Sequence, residues 1–197
     1  GRGRMHNVWW SSPRAMMASV ALTRPEGASV TLAPLLAGLA VHDAIDSQLG
    51  VATALTWPNG VMVGGAEGGG ILAEMTGDTL VVGCGINLWW PKAPAGAVGL
   101  LDHDPGSHVA EELAHDWAPR MLAAIDGLPD SFSKARYVEI CSTIGRHITG
   151  QPEGTGHAIG IAADGGLIVE TADGQVTIRA GAVNHIRPAT ILPNKTE

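Results

Sequence analysis

Between residues 52 and 88 the chain breaks into short apolar runs separated by turn residues. That rhythm limits the fold more than any other feature. Residues 52–57 read as a strand, Pro58-Asn59-Gly60 as a turn and residues 61–63 as a second short strand. The Asn-Gly pair suits a tight turn because both residues tolerate positive φ. Five of the seven positions from Gly64 to Gly70 are glycine, the composition of a flexible loop or of a backbone that something approaches closely. Residues 71–75 and 79–88 then read as a hairpin around Gly77-Asp78. Strands this short and this closely spaced pair antiparallel, because a parallel crossover needs a dozen or more residues.

The flanks are different. Residues 15–22, after Pro13, read as a strand. From Leu32 to Leu49 the positions Leu32, Leu35, Leu36, Leu39 and Ile45 follow helical spacing, with Ser29 or Thr31 placed to cap and Gly50 to terminate. Such a stripe predicts a helix packed on a core. Residues 89–106 are rich in Pro, Gly and Ala and read as a loop. Ser107 opens a helix over 108–117, Pro119 a second one to Ile125, and Asp130 or Ser131 a third through Cys141. From Ile144 onward, short strands turn at Asp164-Gly165 and Asp173-Gly174, the pattern of a small β-barrel or sandwich. The expected fold class is α+β, with a boundary at Thr143 between domains 1–143 and 144–197.

Composition narrows the function. At 45% apolar and 16% charged over 197 residues, the chain has a core and is not wholly disordered. Nineteen acidic against twelve basic residues, a net charge of −7, argue against an extended nucleic-acid surface. Among the basic residues only Lys92, Lys134 and Lys195 are lysines. Two cysteines without C-x-x-C spacing argue against a disulfide scaffold and a structural zinc site. No run of 18 apolar residues and no signal peptide is read, so the expectation is a cytoplasmic protein with no membrane partner.

Five constellations could carry chemistry. Gly1-Arg2-Gly3-Arg4 sets backbone N–H groups beside guanidinium forks, which suits phosphate or carboxylate oxygens; it could equally be a frayed basic terminus. Trp57-Pro58-Asn59-Gly60 can present Asn59, donor and acceptor at once, or be an ordinary hairpin turn. Gly68-Gly69-Gly70-Ile71-Leu72 with Glu74 allows close approach. Gly83-Cys84-Gly85-Ile86-Asn87 weakens a strand with two glycines, which implies that a ligand or another backbone comes near, with Asn87 at the strand end and Cys84 as a small buried residue. His108, Glu111, Glu112 and His115 share helical spacing, as metal ligands or as a solvated face. No nucleophile elbow or P-loop exists.

Taken in order, these pieces resemble the bacterial biotin protein ligases. The family carries Gly-Arg-Gly-Arg-x-Gly-Arg-x-Trp, then Lys-Trp-Pro-Asn-Asp, a Lys-containing Gly-Ile-Leu segment and a Gly-x-Gly-Ile-Asn strand. Here the same order runs from Gly1 to Trp9, Thr56 to Gly60, Glu67 to Glu74 and Gly83 to Asn87. Tyr137, Cys141, Thr143-Ile144-Gly145-Arg146, Gly156, Ala158, Gly160-Ile161 and Gly181, Val183, His185-Ile186-Arg187 continue the likeness to the C-terminus.

The resemblance implies a catalytic domain related to class II aminoacyl-tRNA synthetases, plus a C-terminal barrel of the Src-homology-3 type. It implies that biotin and MgATP give biotinyl-5′-AMP, whose biotin moves to a lysine of a biotin carboxyl carrier protein. By family position Arg2, Gly3 and Arg4 bind the adenylate, with Arg4 catalytic. Trp57, Asn59, Gly70, Ile71, Gly85 and Asn87 line biotin or nucleotide. Separately from the family pattern, the position of Trp89 and Trp90 just after the Asn87 strand suggests that one of them stacks on adenine. Cations around the phosphate and a loop that excludes water fit that chemistry.

The sequence also departs from the family. His6-Asn7 replace the second Gly-Arg, and Thr56 and Gly60 replace the Lys and Asp around Trp-Pro-Asn. The phosphate-contacting lysine falls on Glu67, and no lysine lies between residues 1 and 91. The family's Ser-Thr-Asn segment would precede Gly1, so the chain reads as lacking it. An exposed sheet left by that loss would favour self-association as a homodimer. Two functions therefore stand side by side: a ligase, or a non-catalytic relative that binds biotin, adenylate or carrier in a regulatory role.

Overall fold

The computed structural model describes residues 9–23, 30–150, 154–179 and the backbone of 187–188. Arg2, Gly3, Arg4, His6, Asn7, Ser29, His185 and Lys195 lie outside them. A five-stranded antiparallel sheet holds β1 (Arg14–Thr23), β2 (Ala54–Thr56), β3 (Gly60–Val63), β4 (Ala66–Thr76) and β5 (Thr79–Trp89) in the order β1-β5-β4-β3-β2. Four of these strands run as a meander, and β1 reaches the sheet by pairing with β5.

One face of this sheet is covered by α1 (Ala33–Leu49). Its buried face includes Leu35, Leu36, Leu39 and Ile45, as the spacing predicts, and Gly50 ends it in the left-handed conformation at φ 62°. The cap differs from expectation. Leu32 is the N-cap, with no side-chain cap bond, because the Thr31 hydroxyl donates to the Asp164 carbonyl instead. With the 3-10 turn before it, α1 forms an apolar stretch over Val30–Leu49 that is long enough to cross a membrane by length and composition. Polar residues, among them His42, Asp43 and Asp46, interrupt it, and 61% of it is buried, as in a core helix.

Two further helices also depart from the sequence reading. Residues 108–126 form one helix, α2 (His108–Asp126), with Pro119 inside it. It lies against α1 and β1, and Trp117 at its centre is fully buried with Nε1 donating to the Ala37 carbonyl at 3.2 Å. That packing outweighs the one backbone bond a proline removes. Replacing Trp117 by alanine is expected to cost about 3–5 kcal/mol of stability in denaturant unfolding. The third helix, α3 (Lys134–Ile140), starts later than expected because Ser131 closes a turn on Gly127; Ser133 caps it by accepting from the Arg136 N–H.

The glycine-rich stretch is not a loop beyond Gly65. Gly64 and Gly65 turn with positive φ, and Gly68, Gly69 and Gly70 lie within β4. A second antiparallel sheet follows, with β6 (His147–Gly150), β7 (Gly154–Ile161), β8 (Leu167–Thr171), β9 (Gly174–Ile178) and β10 (Arg187–Pro188) in the order β10-β6-β7-β8-β9. Its turns fall at Asp164-Gly165 and Asp173-Gly174, as read from the sequence.

Candidate active site

Side chains alternate across a strand, so β4 and β5 each present one face to α1 and one away from it. Ile71, Cys84 and Ile86 are buried on the helix side. Gly70 and Gly85 are cross-strand partners and face the other way. Over them lies the indole of Trp9. A Cβ built on Gly70 would stand 3.0 Å from that ring, and one on Gly85 also 3.0 Å. The two glycines therefore form a bare floor on which a flat group rests against backbone. Gly69 serves packing instead, since its Cβ would fall 2.4 Å from the Ile86 side chain.

Asn59 borders this floor. Its Nδ2 donates to the Ile71 carbonyl at 2.7 Å, and its own carbonyl accepts from the Ile71 N–H at 2.9 Å. These bonds hold the turn beside Gly70. Gly60 is required there by space rather than by φ, because a Cβ would lie 2.2 Å from Thr56 Oγ1. The two departures from the family's Lys-Trp-Pro-Asn-Asp, at residues 56 and 60, thus touch one another.

Three expected ligand residues turn inward. Ile71 is buried on the helix side, and its backbone is held by Asn59. Asn87, 2% exposed, accepts from the Ser12 N–H at 3.0 Å, which fastens the segment carrying Trp9 to β5. Trp57, 4% exposed, donates from Nε1 to the Gly165 carbonyl at 2.8 Å. Asn87 and Trp57 were legible as site-adjacent residues; that they act as anchors depends on partners 75 and 108 positions away. The contact of Trp9 with the glycine floor was missed, although Gly70 and Gly85 falling in register was the signal for it.

Glu67 lies on β4, three residues before Gly70. Its backbone pairs with residues 96–98, donating to the Gly96 carbonyl and accepting from the Val98 N–H. Its side chain is exposed along one flank, yet the protein around the carboxyl raises its pKa by desolvation. Trp89 and Trp90 are half-buried at the end of β5. Burial pushes the Cys84 thiol far above the ordinary thiol range, so it is no nucleophile. Neither Cys84 nor Cys141, both buried and free, should react with a thiol reagent until the chain is unfolded; titration with and without denaturant checks this. The helix residues His108, Glu111, Glu112 and His115 lie along α2, and among the described residues no three His, Cys, Asp or Glu side chains gather as a metal site.

Strands β6 to β9 fall within a match, over residues 143–185, to the family model "Biotin protein ligase C terminal domain". A biotin–[acetyl-CoA-carboxylase] ligase of Paracoccus denitrificans is 31% identical over 208 residues, covering 93% of this chain and 85% of that protein. The chain belongs to the biotin protein ligase family. A second ligase of this family, from Mycobacterium tuberculosis, is 29% identical over 95% of the chain and 76% of its own length. The biotin protein ligase of Aquifex aeolicus, solved in complex with biotin and ATP, superimposes with a TM-score of 0.82 at 25% identity, over 96% of this chain and 85% of that one. The fold is thus the expected one: a mixed α+β domain of the biotin synthetase type and a small C-terminal barrel of the Src-homology-3 type.

Proposed function

We propose that the chain is a biotin–protein ligase, joining biotin to ATP as biotinyl-5′-AMP and passing the biotin to a lysine of a biotin carboxyl carrier protein. The observation that carries this reading is the glycine floor: Gly70 and Gly85 pair across two strands with an aromatic ring lying over both. A thin bicyclic ligand needs such close backbone approach, and Asn59 stands beside it with Oδ1 available as an acceptor. Trp57, Ile71 and Asn87 serve the site through position.

In this reading residues 1–143 form the ligand-binding unit and 144–197 the barrel. Arg2, Gly3 and Arg4 bind the adenylate, and Arg4 offsets the charge that builds on the phosphate. Trp89 or Trp90 stacks on adenine. Mg2+ arrives with the nucleotide, held chiefly by phosphate oxygens and water. The work is cytoplasmic, the partner is the carrier domain, and a homodimer is the assembly to test for; a net charge of −7 gives no reason to add a nucleic acid.

Glu67 supports a second reading, a regulatory relative that binds biotin, adenylate or carrier without turnover, because a carboxylate repels the phosphate. Biotin-dependent ATP–pyrophosphate exchange, with streptavidin detection of a biotinylated carrier domain, separates the two. Turnover is the expected result. Biotin binding by calorimetry with neither exchange nor transfer would establish the regulatory reading instead.

A further inference from the structure

We infer that Trp57 is a positioning residue through which the C-terminal barrel holds the Asn59 turn against the glycine floor, so that the barrel is a working wall of the site. This deepens the ligase reading and rests on it only for what the site binds.

The inference follows a continuous path of buried contacts. At the near end, Asn59 is fastened to Ile71 by its side chain and its backbone, one residue from Gly70. Two residues back stands Trp57, between the two sheets. Its N–H donates to Thr143 Oγ1 at 3.0 Å, and its indole donates to the Gly165 carbonyl at 2.8 Å. Thr143 is itself buried. Beside it, the Ser142 N–H and hydroxyl both donate to the Leu55 carbonyl, and Cys141 bridges Leu55. The edge of the first sheet is thus tied to the entry of the barrel at three consecutive residues.

The far end is equally fixed. Gly165 turns between β7 and β8 at φ +83°, and a Cβ there would stand 3.1 Å from Leu32. The Asp164 carbonyl accepts from Thr31, and the Asp164 carboxylate accepts from the Gly166 N–H and from Arg179. The turn that receives the indole is therefore also fastened to the residues that open α1. A buried indole N–H needs an acceptor, and here the acceptor belongs to a different sheet from the residue it steadies. A tryptophan that only filled space could sit anywhere in the core. This one joins the barrel turn to the residues beside the site.

The test uses Trp57→Phe and, as a gentler variant, Thr143→Val, both in the full chain. Amide hydrogen exchange at Ile71, whose N–H is bonded to Asn59, reads the turn directly. Exchange in the β1–β5 pairing, for example at Val82, reads the rest of the sheet. Each variant is expected to speed exchange at Ile71 about tenfold relative to Val82, the effect of losing one buried hydrogen bond. Biotin affinity should weaken about as much, with kcat at saturating biotin changing less. If exchange rises equally at both amides, Trp57 is merely structural and the inference fails. It fails too if Ile71 exchange matches wild type in a folded variant. Should Trp57→Phe not fold, Thr143→Val decides on the same readouts. If wild type binds no biotin, the ligase reading falls, while the Ile71 exchange still decides the positioning role.

Discussion

Replacing Gly85 by valine is expected to leave stability nearly unchanged, the better strand propensity offsetting the crowding of Trp9, while biotin affinity falls about tenfold to a hundredfold. The two effects have separate causes. A glycine inside a strand costs about 0.5–1 kcal/mol relative to alanine, and β-branched residues suit a pleated strand. The side chain added at 85, however, points onto the floor beneath the Trp9 ring, where even a Cβ comes within 3.0 Å. Filling a tight site in this way costs about 1–3 kcal/mol, which is the stated loss of affinity. Gly83→Ala is the control. It lies on the same face one step away, and its Cβ would meet Ser19 Oγ at 3.3 Å and nothing of Trp9. Calorimetric titration with biotin, beside a thermal melt, checks both halves. An unchanged affinity for Gly85→Val would remove the floor from the binding site.

The second large effect is expected at Glu67. Glu67→Lys should tighten binding of a non-hydrolysable biotinyl-adenylate analogue at least tenfold, because repulsion of the phosphate becomes attraction. Two unit charges 4 Å apart near a protein surface interact by about 4 kcal/mol, and solvent on the open flank reduces that. Biotinol, which has neither phosphate nor carboxylate, should bind both proteins alike. The wild type also carries a pH signature. Desolvation raises the Glu67 pKa, so protonation sets in over a pH range higher than that of a free glutamate. As pH falls through that range the negative charge disappears and adenylate affinity should rise; in Glu67→Gln this dependence should vanish. Stability follows the same sign. A carboxyl with a raised folded-state pKa holds its proton longer than the unfolded chain does, so its contribution is lost as pH rises. A titration in which Glu67→Lys and wild type bind the adenylate equally would take residue 67 out of the phosphate's reach.

The parts of the fold that were legible in the sequence are those set by near neighbours. The apolar spacing of residues 32–49 and the turns at Gly50, Gly77 and Gly165 act within a few residues, and the helix and hairpins stand where that pattern puts them. In the helix after Ser107, Pro119 is a local signal for a break, while Trp117, seated under α1, keeps the helix running. The stretch from Gly64 to Gly70 was ambiguous for a related reason. Glycine density shows that side chains are unwelcome, but whether the cause is mobility or a close neighbour is fixed by Ile86 and Trp9, far along the chain. The site followed the same division. Asn59 and the two floor glycines were marked by their motifs, whereas the inward turn of Asn87 and Trp57 depended on Ser12 and Gly165.

The apolar character of α1 bears on how the protein is made. Ten of its seventeen residues are buried, with no acidic residue in the first turn and no basic one in the last. Apart from β1, the strands it covers and the helix that lies beside it are encoded after it, between residues 54 and 126. At about 5–20 residues per second, a newly made α1 waits several seconds outside the ribosome with its greasy face uncovered. In that interval the nascent chain is a natural client for a chaperone. Slower folding at high expression would collect it as aggregate, and cooler, slower synthesis would favour recovery of folded protein.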